Sequence, residues 1–199
     1  MLEILKANVL IAYQQLEQYQ LDRYGRGVVS AIDRNRDMVA IKTAQQSVLV
    51  SLKDDNWERE LDAETISNIR THIALYRAFP QIGGIARPHA RNATIFAQLG
   101  MDIPVLGSFQ KSYFESMIPC AKDIEMLESM FLCQQFDPRN TPATLILSDS
   151  AYAWGESAMD AVCNAAALEE TAYLAYQTMQ LDPGIRPIFY RRDVYKKYL

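Results

Sequence analysis

The chain has 199 residues, 49% hydrophobic and 22% charged, the composition of one compact domain that buries enough surface to fold without a disulfide or a metal. The 24 acidic and 20 basic residues leave a net charge of −4 with no long basic run, which argues against nucleic acid or an anionic membrane as partner. No apolar stretch approaches a membrane span, and charges interrupt Met1-Leu2-Glu3-Ile4-Leu5-Lys6 too early for a secretory leader. Cys120, Cys133 and Cys163 are widely spaced and odd in number, which reads as buried free thiols in a reducing cytoplasm.

Leu2, Leu5, Val9, Leu10, Tyr13 and Leu16 recur at helical spacing and predict an amphipathic helix to about Gln20. Tyr24-Gly25-Arg26-Gly27 is a glycine-punctuated turn. The β-branched runs Val28–Ile32 and Met38–Lys42 flank Asp33-Arg34-Asn35-Arg36-Asp37, which reads as a hairpin with a solvated tip. Ser47–Leu52 predicts another strand and Thr65–Phe79 a helix stopped by Pro80. Gln81–Ala86 is the next strand, Asn92–Leu99 the next helix, and Ile103–Leu106 a short extended piece. Asp123–Gln135 alternates weakly and stays ambiguous between helix and strand. Thr144–Leu147 is a strand, Tyr152-Ala153-Trp154-Gly155 follows a turn, and Ala158–Leu181 is a long Ala-rich helix. The order predicts one α/β domain over 1–199, a central, mostly antiparallel sheet flanked by helices.

The segment from Gly83 to Gln98 concentrates the chemistry. Residues i and i+2 at a strand end point the same way, so a His-x-His pair there can share one metal. Here that pair reads Arg87-Pro88-His89, and an arginine keeps its proton and ligates no cation. His72, on a helix with an apolar face, reads as packing or capping. His89 stays open between a hydrogen-bonded structural histidine and a site base. Trp154, Tyr152 and Phe96 read as core, and Lys42, at a strand end, as solvated.

Several collinear segments resemble the class II aldolase/adducin family, and among its members the ribulose-phosphate epimerases. They include Val29-Ser30-Ala31-Ile32-Asp33-Arg34, Thr71-His72 with Leu75-Tyr76 and Ala78-Phe79-Pro80, and Ile82-Gly83-Gly84-Ile85. Ala93-Thr94-Ile95, Ile118-Pro119-Cys120, Ala153-Trp154-Gly155 and Leu168-Glu169-Glu170 continue the series. The resemblance implies a class II aldolase-like α/β domain, a homo-oligomeric fourfold ring with sites between subunits, and a divalent metal, usually zinc. In the family that metal stabilises an enediolate formed from a sugar-phosphate hydroxy-ketone.

Transferred residue by residue, the family's metal positions fall on Asn68, Arg87, His89 and Asp149. Its catalytic His and Asp fall on Gln110 and Ser112, beside Tyr113. Its phosphate-holding Gly-Asn turn and Lys-Pro-Ser-Gly loop fall on Gly27-Val28 and on Lys42-Thr43-Ala44-Gln45. Tyr190, Tyr195 and Tyr198 lie near the C-terminus, and none aligns with the family's catalytic tyrosine. Segments after Gln45 and Cys120 are shortened. The resemblance therefore implies that the family metal is lost and no other cofactor replaces it. The Arg87 guanidinium is expected in its place, paired with Asp149; if that pair is buried, removing Arg87 costs roughly 3–5 kcal/mol.

Two functions follow as expectations. The first is a metal-independent, lyase- or isomerase-like enzyme acting on a small carbonyl or carboxylate compound. Arg87, His89, Asp149 and Tyr113 would be its catalytic groups, and Asn68, Lys42, Gln110 and Ser112 would line the substrate. The second is a catalytically inactive pseudoenzyme that scaffolds or regulates through its ring interfaces, as adducin does on the same fold. An open polar cleft holding Arg87 and Asp149 would favour the first, and a cleft plugged by Arg87, Gln45 or the C-terminal tail the second.

Overall fold

The computed structural model describes residues 2–54, 61–182 and 184. Seven strands form one sheet in the order β3-β2-β1-β4-β7-β6-β5. These are β1 (Val28–Asp33), β2 (Met38–Lys42), β3 (Ser47–Ser51), β4 (Gly84–Arg87), β5 (Cys120–Ala121), β6 (Ala143–Ile146) and β7 (Ala151–Gly155). The sheet is mixed: β5 and β6 run parallel, and the other paired strands antiparallel.

Helices cover both faces. On one, α1 (Leu2–Gln18), α3 (Arg91–Leu99) and α6 (Ala158–Leu181) pack over Val29, Ala31, Ala86 and Ala153. On the other, α2 (Ala63–Ala78) and α5 (Ile124–Leu132) close over Val28, Ile85, Tyr152 and Trp154. A short helix, α4 (Ser108–Lys111), sits in the connection between α3 and β5. The alternation of side chains along a strand makes this division: successive residues of β1, β4 and β7 serve opposite layers. Phe79 stacks on Trp154 at 6.2 Å between ring centroids, and Phe136 meets Trp154 edge-on.

The weakly alternating stretch from Asp123 resolves as α5, because Asp123 caps it by accepting from Met126 N at 2.8 Å. Asp62 caps α2 in the same way through Thr65 N, so that helix starts before Thr65. Strand β4 lies against the start of α6 with no room for side chains. A Cβ at Gly83 would stand 2.0 Å from the Glu156 carbonyl oxygen, and one at Gly84 2.3 Å from the Ser157 carbonyl carbon.

Two expectations change. The hairpin tip is only partly solvated. Arg34 folds under it to donate to the carbonyls of Tyr76 (3.0 Å), Ile82 (2.9 Å) and Phe79 (3.3 Å), where α2 ends. Asp33 and Arg36 form an exposed pair at the tip, in keeping with the solvated reading. Nor are the cysteines buried. Cys133 and Cys163 are exposed and Cys120 half-buried, all as free thiols. Cys133 follows the last turn of α5, and Cys163 lies off the α6 stripe of Ala158, Ala161, Val162 and Ala165 that meets the sheet.

Candidate functional site

Arg87 ends β4, where Val28 of β1 pairs with it on one side. Ile85 pairs with Trp154 and Ala86 with Ala153, so continuing the register brings Arg87 towards Tyr152 and the turn that carries Asp149. That turn is tight, with Ser148 at φ 59° and Asp149 N donating to Ile146 O at 3.0 Å. Arg87 Nη2 meets Asp149 Oδ1 at 3.3 Å, and the Tyr152 hydroxyl donates to Asp149 Oδ2 at 2.9 Å. Both carboxylate oxygens are thus engaged. The other arm of the guanidinium, Nη1, reaches the Arg26 carbonyl at 3.4 Å. The pair is not sealed: the Arg87 side chain is 19% exposed and the Asp149 side chain 43%. Solvent screens such a pair, so the cost expected for a buried one does not apply.

The arginine fork bridges two recesses. Arg26 belongs to a cavity of about 160 Å³ whose other walls include Gly27, Thr43, Gln45, Thr65 and Asn68. Asp149 opens to a broader, shallower recess of about 320 Å³ with Arg70, Thr71, Lys122 and Glu125 on its walls. Among the described residues the geometry is therefore not one open cleft holding both residues; the C-terminal tail lies outside them.

Past the strand end, His89 is pinned by its backbone, which donates to Leu21 O at 2.7 Å. Its ring meets Tyr24 edge-on at 5.9 Å. Burial lowers its pKa below the ordinary histidine value, and the charges of Arg26, Arg87 and Arg23 push the same way, with Asp22 opposing them. The imidazole is accordingly neutral near pH 7.

Beneath the pair runs a network that sequence reasoning missed. Ser30 Oγ lies 2.7 Å from His72 Nδ1 and 2.8 Å from the Tyr76 hydroxyl, all fully buried. His72 also packs edge-on against Tyr152 at 6.1 Å. Burial, helped by Arg87, lowers the His72 pKa to about 3. A serine inside the apolar run of β1, opposite a His/Tyr pair four residues apart on one helix face, was the available signal.

Other expected site residues are occupied elsewhere. Gln110 is buried, and its Oε1 accepts from Gly107 N and from Leu106 N at 3.1 Å, closing the turn before α4. Ser112 is exposed and donates to Phe109 O at 2.6 Å. Tyr113 is exposed in a cluster with Phe109 and Phe114. None of the three makes a described hydrogen bond to Arg87, His89 or Asp149. Lys42 is not simply solvated: its Nζ donates to the carbonyls of Thr43 and Ala44 and lies 4.9 Å from the Tyr13 ring centroid. Asn68 does reach the smaller cavity, beside Gln45. Tyr190, Tyr195 and Tyr198 lie outside the described residues. Among the described residues, no three His, Cys, Asp or Glu side chains converge as a ligand set.

Residues 7–176 match the family model described as the class II aldolase and adducin N-terminal domain. The chain belongs to the class II aldolase/adducin family. Within that family it is 33% identical over 203 aligned positions to "L-ribulose-5-phosphate 4-epimerase UlaF" of Salmonella paratyphi A (strain ATCC 9150 / SARB42), covering 92% of this chain and 89% of the relative. The protein of that name from Salmonella paratyphi B (strain ATCC BAA-1250 / SPB7) is 32% identical over the same span. Among solved class II aldolase structures, an L-fuculose 1-phosphate aldolase superposes with a TM-score of 0.72 at 16% identity, covering 98% of this chain and 95% of the other. The L-fuculose-1-phosphate aldolase of Thermus thermophilus gives 0.69 at 17% identity, covering 93% and 100%. These structural likenesses establish the class II aldolase fold.

Proposed function

We propose that this chain is a divergent aldolase/epimerase-like protein that binds a small carbonyl or carboxylate compound beside Arg87 and His89 and turns it over without a resident divalent cation. The observation that carries the reading is the Arg87–Asp149 contact, with the second arm of the same guanidinium turned to the Arg26 loop. The chemistry of the aligned positions weighs against a tight divalent cation: Arg87 is permanently protonated and Asn68 offers only an amide, which leaves His89 and Asp149 as ordinary ligands where about three are needed.

On this reading Arg87 stabilises negative charge that develops on a carbonyl oxygen. His89, neutral at physiological pH, accepts the proton released from the adjacent carbon and later returns it. Asp149 and Tyr152 hold the guanidinium in place. A cytoplasmic homo-oligomer is the assembly that goes with this reading. No described helix is long and apolar enough to cross a membrane.

Elemental analysis of protein purified without chelator is the first test, followed by deuterium exchange of small 2-oxo and 2-hydroxy carboxylates and aldehydes, read by NMR. Absence of stoichiometric metal, with exchange that Arg87→Ala and His89→Asn both abolish, is expected. Near-stoichiometric zinc or manganese would overturn the proposal.

A second reading, a non-catalytic scaffold, draws on the commitment of Gln110 and Ser112 to local bonds. It predicts no exchange with any compound, and an oligomer unchanged by Arg87→Ala.

A further inference from the structure

The buried network beneath the Arg87–Asp149 pair leaves two polar atoms over. Among the described residues, four buried side-chain nitrogens or oxygens have no hydrogen-bond partner, and two of them are His72 Nε2 and Arg87 Nε. An unpaired buried polar group is costly, so an orphan of this kind points to a partner that the neighbouring side chains do not supply.

The two atoms border one region. Across the β1–β4 ladder Arg87 faces Val28 and Ile85 faces Ser30. Alternation along each strand puts all four side chains on the same side of the sheet. Helix α2 packs on that side and sets His72 against Ser30. Tyr152, whose hydroxyl holds Asp149, closes the space by meeting the His72 ring edge-on at 6.1 Å. The Arg87 charge acts on His72 across it.

The hydrogen bonds decide what His72 offers there. The buried Tyr76 phenol has a proton to place, and the Ser30 hydroxyl at 2.8 Å is its described side-chain partner. Ser30, accepting from Tyr76, passes its own proton to His72 Nδ1 at 2.7 Å. A neutral imidazole whose Nδ1 accepts carries its proton on Nε2. Burial keeps the ring neutral, with its pKa lowered to about 3. His72 Nε2 and Arg87 Nε are therefore both donors, and both lack an acceptor.

We infer that His72 Nε2 and Arg87 Nε donate to one shared acceptor, a buried water molecule, and that His72 is thereby a positioning residue for the Arg87 guanidinium. A water suits the charge balance. Asp149 already neutralises Arg87, and a second anion beside it would be repelled, whereas a neutral acceptor is not. With Nη2 on Asp149 and Nη1 on the Arg26 carbonyl, a bond at Nε would hold all three guanidinium nitrogens and fix the plane of the group. The inference rests on the proposed function only where it makes Arg87 a catalytic group.

The test is NMR of the nitrogen-labelled protein. The chain has two histidines, so His89→Asn leaves His72 as the single imidazole. Long-range proton–nitrogen correlation is expected to place its proton on Nε2, and a proton on Nδ1 overturns the inference. The Arg87 Nε–H signal, assigned by its loss in Arg87→Lys, is expected to show a cross-peak to a long-lived water. Its absence from wild type overturns the shared acceptor.

Variants separate positioning from packing. His72→Asn removes the donor at the Nε2 position and should speed solvent exchange of the Arg87 Nε–H by about tenfold or more, the loss of one buried hydrogen bond. His72→Gln, whose amide nitrogen falls near that position, should restore slow exchange. If His72 only packs, both variants lower the melting temperature and leave the exchange equal, and the inference falls. Should neither variant fold, the wild-type water cross-peak and the His72 tautomer decide it. Failure of wild type to exchange deuterium into any 2-oxo or 2-hydroxy carboxylate overturns the catalytic reading alone, because these NMR signals do not depend on turnover.

Discussion

Glu169 offers the sharpest quantitative test of how the site is held. The residue before α3 is Ala90, which gives the helix no side-chain cap. Glu169 supplies one from α6. Its carboxylate accepts from Asn92 N at 3.0 Å through both oxygens, from Asn92 Nδ2 at 2.8 Å and from Ala93 N at 3.1 Å. An ordinary cap is worth about 1 kcal/mol, and hydrogen bonds to a charged group about 1.5–3 kcal/mol each without being additive. Glu169→Ala should therefore cost about 3 kcal/mol. For a domain of this size that lowers Tm by roughly 6–12 °C. Glu169→Gln, which keeps an acceptor but no charge, should cost about 1 kcal/mol. The exposed neighbour Glu170→Ala should stay within about 0.5 kcal/mol of wild type. Urea unfolding followed by tryptophan fluorescence at fixed protein concentration measures all three. Amide exchange at Asn92 and Ala93 should accelerate in Glu169→Ala, and with it exchange at His89, since α3 begins two residues later. Equal midpoints for Glu169→Ala and Glu170→Ala would refute the cap.

The half-open Arg87–Asp149 pair sets a smaller scale, so Arg87→Ala should cost about 1 kcal/mol in urea unfolding, and Arg91→Ala, at an exposed position, less than that. Equal midpoints would show that the pair contributes nothing to stability. His72 has a folded pKa of about 3 against 6.5 in the unfolded chain, so the unfolded state takes up the proton first as pH falls. Its contribution is complete above pH 6.5 and declines below it, by up to about 1.4 kcal/mol per pH unit. Between about pH 6.5 and 5, where most carboxylates stay ionised, His72→Asn should flatten the fall in stability, and an unchanged slope would reject the assignment. Gly84→Ala, which drives a Cβ into the α6 backbone, should cost about 3 kcal/mol or more, read as loss of folded yield or of the urea midpoint.

Much of the architecture was legible because local chemistry and the global fold agree. The stripe of Leu5, Val9, Tyr13 and Leu16 marks α1, and the β-branched runs mark β1 and β2. The resemblance puts Arg87 and Asp149 at two of the family's metal positions, which implied a contact between residues far apart in the chain, and the structure places them together. What stayed hidden depends on partners, tertiary or local, that residue type alone does not reveal. Arg34 read as solvated because nothing local shows that the end of α2 lies under the hairpin. Gln110 read as a substrate ligand because its alignment carried a role that its own turn has claimed. The α5 segment stayed ambiguous because its apolar residues lack a clean period, and a cap at Asp123 decided it. Cys163 read as buried from residue type alone, yet the stripe that meets the sheet passes beside it.

The central position of β4 has a consequence for how the protein is made. Its four residues join two parts of the sheet: β1 to β3, already synthesised, and β5 to β7, still to come when β4 leaves the ribosome. The N-terminal meander can pair early through short connections, but the β4–β7 ladder must wait until Ala151–Gly155 emerges. Arg87, at the end of β4, meets Asp149 only then. A nascent chain stalled before β7 therefore carries Arg87 without its acidic counterpart, at an edge of the sheet that is still unpaired. Closure of the Arg87–Asp149 contact thus reports on the emergence of β7, and ribosome-bound chains that expose residues only up to either side of Ala151–Gly155 would separate the two states.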